Sequence, residues 1–144
     1  MRARSDARAG FTLIELLVVI IVIGLLAGLV APQIVGRVSE ARVTTAKAQL
    51  ELLDIALESY RLDNGRVPTT EQGLAALRDR PTRGPAPLDW RGPYLKKPVP
   101  RDPWGNAYVY QAPGTRNPGS YDLVSFGRDG KPGGTGEDAD LVGQ

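Results

Sequence analysis

Gly10-Phe11-Thr12-Leu13-Ile14-Glu15-Leu16-Leu17-Val18-Val19-Ile20-Ile21-Val22-Ile23 decides the reading of this chain. From Leu16 to Gly36 no residue carries a charge, and Gln33 is the only strongly polar one. Such a run can cross the ~30 Å hydrocarbon core of a bilayer, which takes roughly 20 residues. A single carboxylate, Glu15, stands at its leading edge. An ionised acid costs roughly 2.5–3.5 kcal/mol at mid-membrane and less near the interface. A span that begins with one acid needs a partner for that acid.

Upstream, Met1 to Gly10 is short and basic, with Arg2, Arg4 and Arg8 against Asp6. It has no apolar core, so it is no ordinary secretory signal, in which cleavage follows the apolar run. The basic leader, with only Arg37 offset by Glu40 just beyond the span, orients the N-terminus to the cytoplasm. These leader residues also account for the whole net charge of +2, because from Phe11 onward 15 Lys or Arg balance 15 Asp or Glu. The high isoelectric point therefore carries no message about nucleic acid. The 144 residues contain no His and no Cys. That excludes the usual nucleophile–base pairs, zinc sites and disulfide scaffolds, and leaves an oxygen-ligated hard cation open.

The order of a basic leader, small Gly10, Phe11, Thr12 and Glu15 resembles the class III signal of type IV pilins and type II secretion pseudopilins. The resemblance implies that a prepilin peptidase cuts between Gly10 and Phe11 and methylates the new Phe11 amino group. It also implies that Glu15 pairs in a filament with the Phe11 ammonium of a neighbouring subunit, which neutralises two buried charges together. Gly24 and Gly28 form a small-x-x-x-small spacing that either lets membrane helices approach closely or merely reflects the frequency of small residues in spans. Pro32, with Gly36 behind it, is the expected place for a kink, since proline removes one helical hydrogen bond.

Beyond Arg37 the pattern turns amphipathic. Leu50, Leu53, Leu57 and Tyr60 recur at helical spacing, with Ala46 and Ala56 beside them. Asn64-Gly65 is a stop signal, so one helix is expected over residues 11–63, about 80 Å long. Thr69 with Gln72 fits a capping box for a short helix through Leu77, with Leu74 and Leu77 facing the core. Pro81 to Pro103 reads as an irregular loop anchored by Trp90, Tyr94 and Leu95. Residues 107–111 and 120–126 read as an antiparallel hairpin, giving an α+β fold with two or three strands on the long helix. Pro68-Thr69-Thr70-Glu71-Gln72-Gly73-Leu74, Gly92-Pro93-Tyr94-Leu95 and Asp102-Pro103-Trp104-Gly105-Asn106 are similar to blocks of the major pseudopilin family of type II secretion.

Residues 127–141 place four acids within twelve positions among many glycines. Read from the residues alone, this is either a solvated turn or a calcium site, since Ca²⁺ takes six to eight oxygens and the spacing is not that of an EF-hand. The family resemblance implies a structural Ca²⁺. By position it would use the Asp129, Asp138 and Asp140 side chains with the Phe126 and Thr135 carbonyls. Which of Glu137, Asp138 and Asp140 binds through its carboxylate stays open, because Ala139 separates the last two.

The expected organisation is thus a cleaved leader at 1–10, a membrane and filament-core helix at 11–35, and a periplasmic domain at 36–144. The resemblance implies a non-enzymatic subunit that polymerises with itself into a periplasmic filament exporting folded proteins. Its implied partners are minor pseudopilins, the prepilin peptidase, the inner membrane with its assembly platform and ATPase, and an outer-membrane secretin channel. A type IV pilus or competence pilin, and a membrane-tethered Ca²⁺-binding module that never polymerises, are the alternatives.

Overall fold

The computed structural model describes residues 10–143, with side chains at all of these except 30–35. Helix α1 runs from Leu13 to Asn64 without a break. Thr12 caps it: the Thr12 hydroxyl accepts the Glu15 N–H at 3.3 Å, and the Thr12 carbonyl accepts the Leu16 N–H at 3.2 Å. Thr12-x-x-Glu15 therefore has the spacing of a capping box, with an acid in the first turn where the helix dipole favours it. The helix is continuous through Pro32, the expected place of a bend, where side chains are not described, and the leader before Gly10 lies outside the described residues.

The chain divides into two compact units, Met1–Val38 and Ser39–Gln144. In the first, the large apolar side chains from Leu13 to Leu29 are all exposed. Among the described residues no helix is long and apolar enough to cross a membrane. The fully described part of the uncharged run, Leu16 to Leu29, is shorter than the roughly 20 residues a span requires.

In the second unit Ala46, Leu50, Leu53, Leu57 and Tyr60 bury one face of α1, at the spacing expected from the sequence. They meet a three-stranded antiparallel sheet ordered β1 (Val109–Gln111), β2 (Asp122–Ser125) and β3 (Leu141–Val142). Tyr110 pairs with Leu123, and Ser125 with Leu141. Tyr108, Tyr110, Tyr121 and Leu123 turn inward to the helix, while Val109 and Val142 face out. Each of these three tyrosines keeps a partner for its hydroxyl. Tyr108 donates to Gln49 Oε1 at 2.5 Å, Tyr110 to the Pro68 carbonyl at 2.7 Å, and Tyr121 to Asp54 Oδ1 at 3.0 Å. Burial, reinforced by the Asp102 charge, pushes the Tyr108 hydroxyl up to about 12.

Asn64 does more than end the helix. It is 1% exposed, and its amide donates to the Tyr60 carbonyl and to Tyr94 Oη. Its Oδ1 accepts the Asp89 N–H at 3.1 Å, so the helix end clasps the long loop. Trp90, Tyr94 and Leu95 anchor that loop against the core as expected. The Trp90 Nε1 donates to the Ala76 carbonyl at 3.0 Å. The capping box is present: Thr69 N–H donates to Gln72 Oε1 at 3.1 Å and Gln72 N–H to Thr69 Oγ1 at 3.2 Å. The segment it opens is not a single short helix, however. Gly73 takes a left-handed φ of 59°, which an α-helix cannot continue through, so the segment is a turn leading into a 3₁₀ turn at Leu74–Leu77.

The β1–β2 connection closes on one carboxylate. Asp122 accepts the N–H groups of Thr115, Arg116 and Asn117 at 2.7, 2.8 and 3.1 Å. These backbone donors, that of Arg116 foremost, hold the Asp122 carboxyl below the usual carboxylate range. A depressed folded value means that its stabilisation is complete above the unfolded value of about 3.9 and is lost as pH falls through the folded one. Asp122→Asn should therefore flatten the decline in melting temperature below about pH 4. An acid limb identical to that of the parent chain would show that the loop does not hold the carboxylate.

Candidate functional site

Two regions carry the candidate residues. At the N-terminus, Gly10, Phe11 and Thr12 precede α1 without regular structure, and Gly10 and Phe11 are exposed. A peptide bond between Gly10 and Phe11 is therefore accessible, and it lies only two residues before the helix starts. Glu15 is exposed in the first turn. Its backbone N–H donates to the Thr12 hydroxyl at 3.3 Å.

At the other end, the Asp102–Asn106 turn organises the C-terminal loop. Asp102 is 4% exposed. Its Oδ1 accepts the N–H groups of Trp104 and Asn106 at 3.1 and 2.7 Å, as in an Asx turn. Its Oδ2 accepts the hydroxyl of fully buried Ser125 on β2 at 2.7 Å. Asn106 then donates to the Gly127 carbonyl at 2.7 Å. The Ser125 hydroxyl in turn accepts the Gly127 N–H at 3.3 Å. One buried acid thereby fixes where the loop leaves the sheet.

The loop folds back on itself. Arg128 N–H donates to the Glu137 carbonyl at 2.8 Å, and the 3₁₀ turn Gly136–Asp138 brings β3 onto β2. Gly127 and Gly134 have φ of 63° and 89°, and a Cβ on either would collide with the backbone carbonyls of Glu137 and Asp138 respectively. Backbone oxygens and glycines thus pack closely there.

The expected cation donors take separate partners. Asp129 Oδ1 accepts the Lys131 N–H at 3.1 Å, and Asp140 Oδ1 accepts the Gly133 N–H at 2.9 Å, while Arg116 stands 3.7 Å from Asp140 Oδ2. Asp138 is gripped by Arg128, whose Nε and Nη2 donate to its two oxygens at 2.9 and 2.8 Å. The Thr135 carbonyl accepts the Asp138 N–H at 3.1 Å. Among the described residues no three Asp or Glu side chains are gathered as a metal group. Carboxylate and carbonyl oxygens are the donor types a hard cation takes, but these side chains are not gathered, and Asp138 is committed to an arginine.

Two residues already singled out in the sequence, Glu137 as a possible cation ligand and Asp102 within a family block, take tethering roles that the sequence does not announce. Glu137 accepts the Trp104 Nε1–H at 3.2 Å and has Arg128 and Arg42 at 3.5 and 3.8 Å, so it ties the loop to α1. Asp102 signals itself in the sequence only by standing ahead of Trp104-Gly105-Asn106, a turn-forming run. Trp104 anchors the loop through its indole N–H to Glu137.

This geometry has counterparts among known proteins. A family model described as type II secretion system protein G matches residues 33–144, and one described as the prokaryotic N-terminal methylation motif matches residues 6–31. The type II secretion system core protein G of Pseudomonas aeruginosa is 50% identical over 135 residues, 93% of each chain. Its counterparts in Escherichia coli K12 and Vibrio cholerae are 44% and 43% identical, covering 92% and 93% of this chain and 90% of each relative. The crystal structure of the major pseudopilin from the type 2 secretion system of enterohaemorrhagic Escherichia coli is similar with a TM-score of 0.63. It is 39% identical, over 75% of this chain and 90% of that one.

Proposed function

This chain belongs to the type II secretion system protein G family, and on that premise we propose how its parts serve a pseudopilus. Members are structural pseudopilus subunits, and this chain is one rather than an enzyme. A prepilin peptidase removes Met1–Gly10 and methylates Phe11. Residues 11–35 then hold the subunit in the bacterial inner membrane, with the N-terminus cytoplasmic and the domain from residue 36 onward periplasmic. On assembly the same helix becomes filament core, and Glu15 meets the Phe11 ammonium of a neighbouring subunit. Minor pseudopilins, a membrane platform with its ATPase and an outer-membrane secretin complete the machine. Calcium, held by Asp129, Asp138, Asp140 and the Phe126 and Thr135 carbonyls, is the proposed staple of the C-terminal loop. When bound it would supply the positive charge that lets several acids share one turn.

The observation that carries this reading is the exposed apolar face from Leu13 to Leu29 with one acid in its first turn. An unpartnered surface of that length is stable only in lipid or against other copies. Intact-mass measurement of the chain purified from bacterial membranes tests it. The expected mass lacks Met1–Gly10 and carries one added methyl group on Phe11. A chain that keeps its leader in a cell with an active prepilin peptidase would refute the processing and the assembly that depends on it.

A further inference from the structure

We propose that Arg128 is a built-in counter-ion of the C-terminal loop and competes with a divalent cation for the Asp138 carboxylate. The proposal rests on the calcium reading above. Its basis is the fork-to-fork pairing in which both Asp138 oxygens accept from one guanidinium, at 2.9 and 2.8 Å. Arg–carboxylate pairs of this geometry are the stronger kind, and they take one lone pair on each oxygen and hold a positive charge against it. The same guanidinium lies 3.5 Å from Glu137. Glu137 keeps only 16% of its side chain exposed, and its other oxygen faces Trp104 Nε1 and Arg42. Arg128 is placed to do this by its backbone, because its N–H is fixed to the Glu137 carbonyl at 2.8 Å.

The consequence is a loop with two alternative cations. Without metal, Arg128 neutralises Asp138 and bridges residues 127–128 to 137–138. To bind through Asp138, a divalent ion must displace the guanidinium or accept it as a positive neighbour a few ångströms away. Repulsion between such charges, even in water, lowers affinity by roughly tenfold or more. Arg128 would thus hold calcium binding weak while keeping the loop closed in its absence.

Calcium titration and thermal melting of the full-length chain in detergent micelles test this, with Arg128→Gln and Asp129→Ala beside the parent. Arg128→Gln should bind Ca²⁺ roughly tenfold more tightly. It should also melt below the parent in EDTA and gain more from Ca²⁺ than the parent does. An unchanged or weaker calcium midpoint in Arg128→Gln overturns the competition. Asp129→Ala reads the calcium site by itself, and should abolish the Ca²⁺-dependent gain of the parent. If that gain is present and lost in Asp129→Ala while Arg128→Gln titrates like the parent, the site stands and the competition falls. If no variant responds to Ca²⁺, both fall.

Discussion

Replacing Asp102 with alanine should destabilise the C-terminal domain by about 3–5 kcal/mol, the sum of several unmet buried donors each worth about 1–3 kcal/mol. The carboxylate accepts from Trp104 N–H, Asn106 N–H and the Ser125 hydroxyl, and Ser125 has no exposed surface. Water cannot replace a partner that deep without a cavity to sit in. In urea the midpoint should fall by roughly 2 M, given slopes of about 1–3 kcal/mol per molar. Asp102→Asn should cost less, because one oxygen remains for the two backbone donors while the serine contact must reverse. Ser125→Ala should cost least of the three, and the excess of Asp102→Ala over it measures the turn. If Asp102→Ala unfolds at the parent midpoint, the acid is not what holds the loop to β2.

Glu15→Val should leave the folded domain unchanged and abolish assembly. The substitution lies in the first turn of α1, in a different compact unit from the core at Ala46–Tyr60. In a filament it would strand the Phe11 ammonium of each neighbour in an apolar surrounding. Removing one partner of a buried pair costs about 3–5 kcal/mol, and the loss recurs at every subunit. Cross-linking in cells that overproduce the chain should therefore lose its ladder of multimers, while urea melting of the purified variant matches the parent. A ladder of unchanged length and intensity would show that Glu15 has no partner in the filament.

Much of the fold was legible because it comes from local spacing. The inward face of α1 was readable from Leu50, Leu53, Leu57 and Tyr60, since a 3.6-residue period names a face without any tertiary information. The Thr69–Gln72 box was equally local. The path of the chain beyond that box was not, because the extent of the expected helix turned on a single backbone angle at Gly73. Strand β3 is only two residues long and is created by its register with Val124 and Ser125, which no property of Leu141-Val142 announces. The same holds for the loop acids. Their number and the glycines among them were visible, but the choice of Arg128 as the partner of Asp138 depends on a backbone that winds through left-handed glycines at 130, 133, 134 and 136. Charge pairing across a folded loop is a property of the path, and composition does not encode the path.

The cap at Thr12 has a consequence for the timing of polymerisation. Helix α1 begins at Leu13, so a cut after Gly10 would turn the Phe11 amide into an ammonium one residue outside the cap. That places a new cation beside the positive pole of the helix, an opposition worth about 0.3–1 kcal/mol at an exposed end and more where water is scarce. N-methylation would preserve the charge. The Glu15 of the same chain offsets part of it, being in the first turn. Proteolysis would therefore leave each subunit electrostatically frustrated at its tip, and the relief lies in another copy of the same tip. Maturation and the drive to polymerise would then be one chemical event, the unmasking of an amine at a helix end that already repels it.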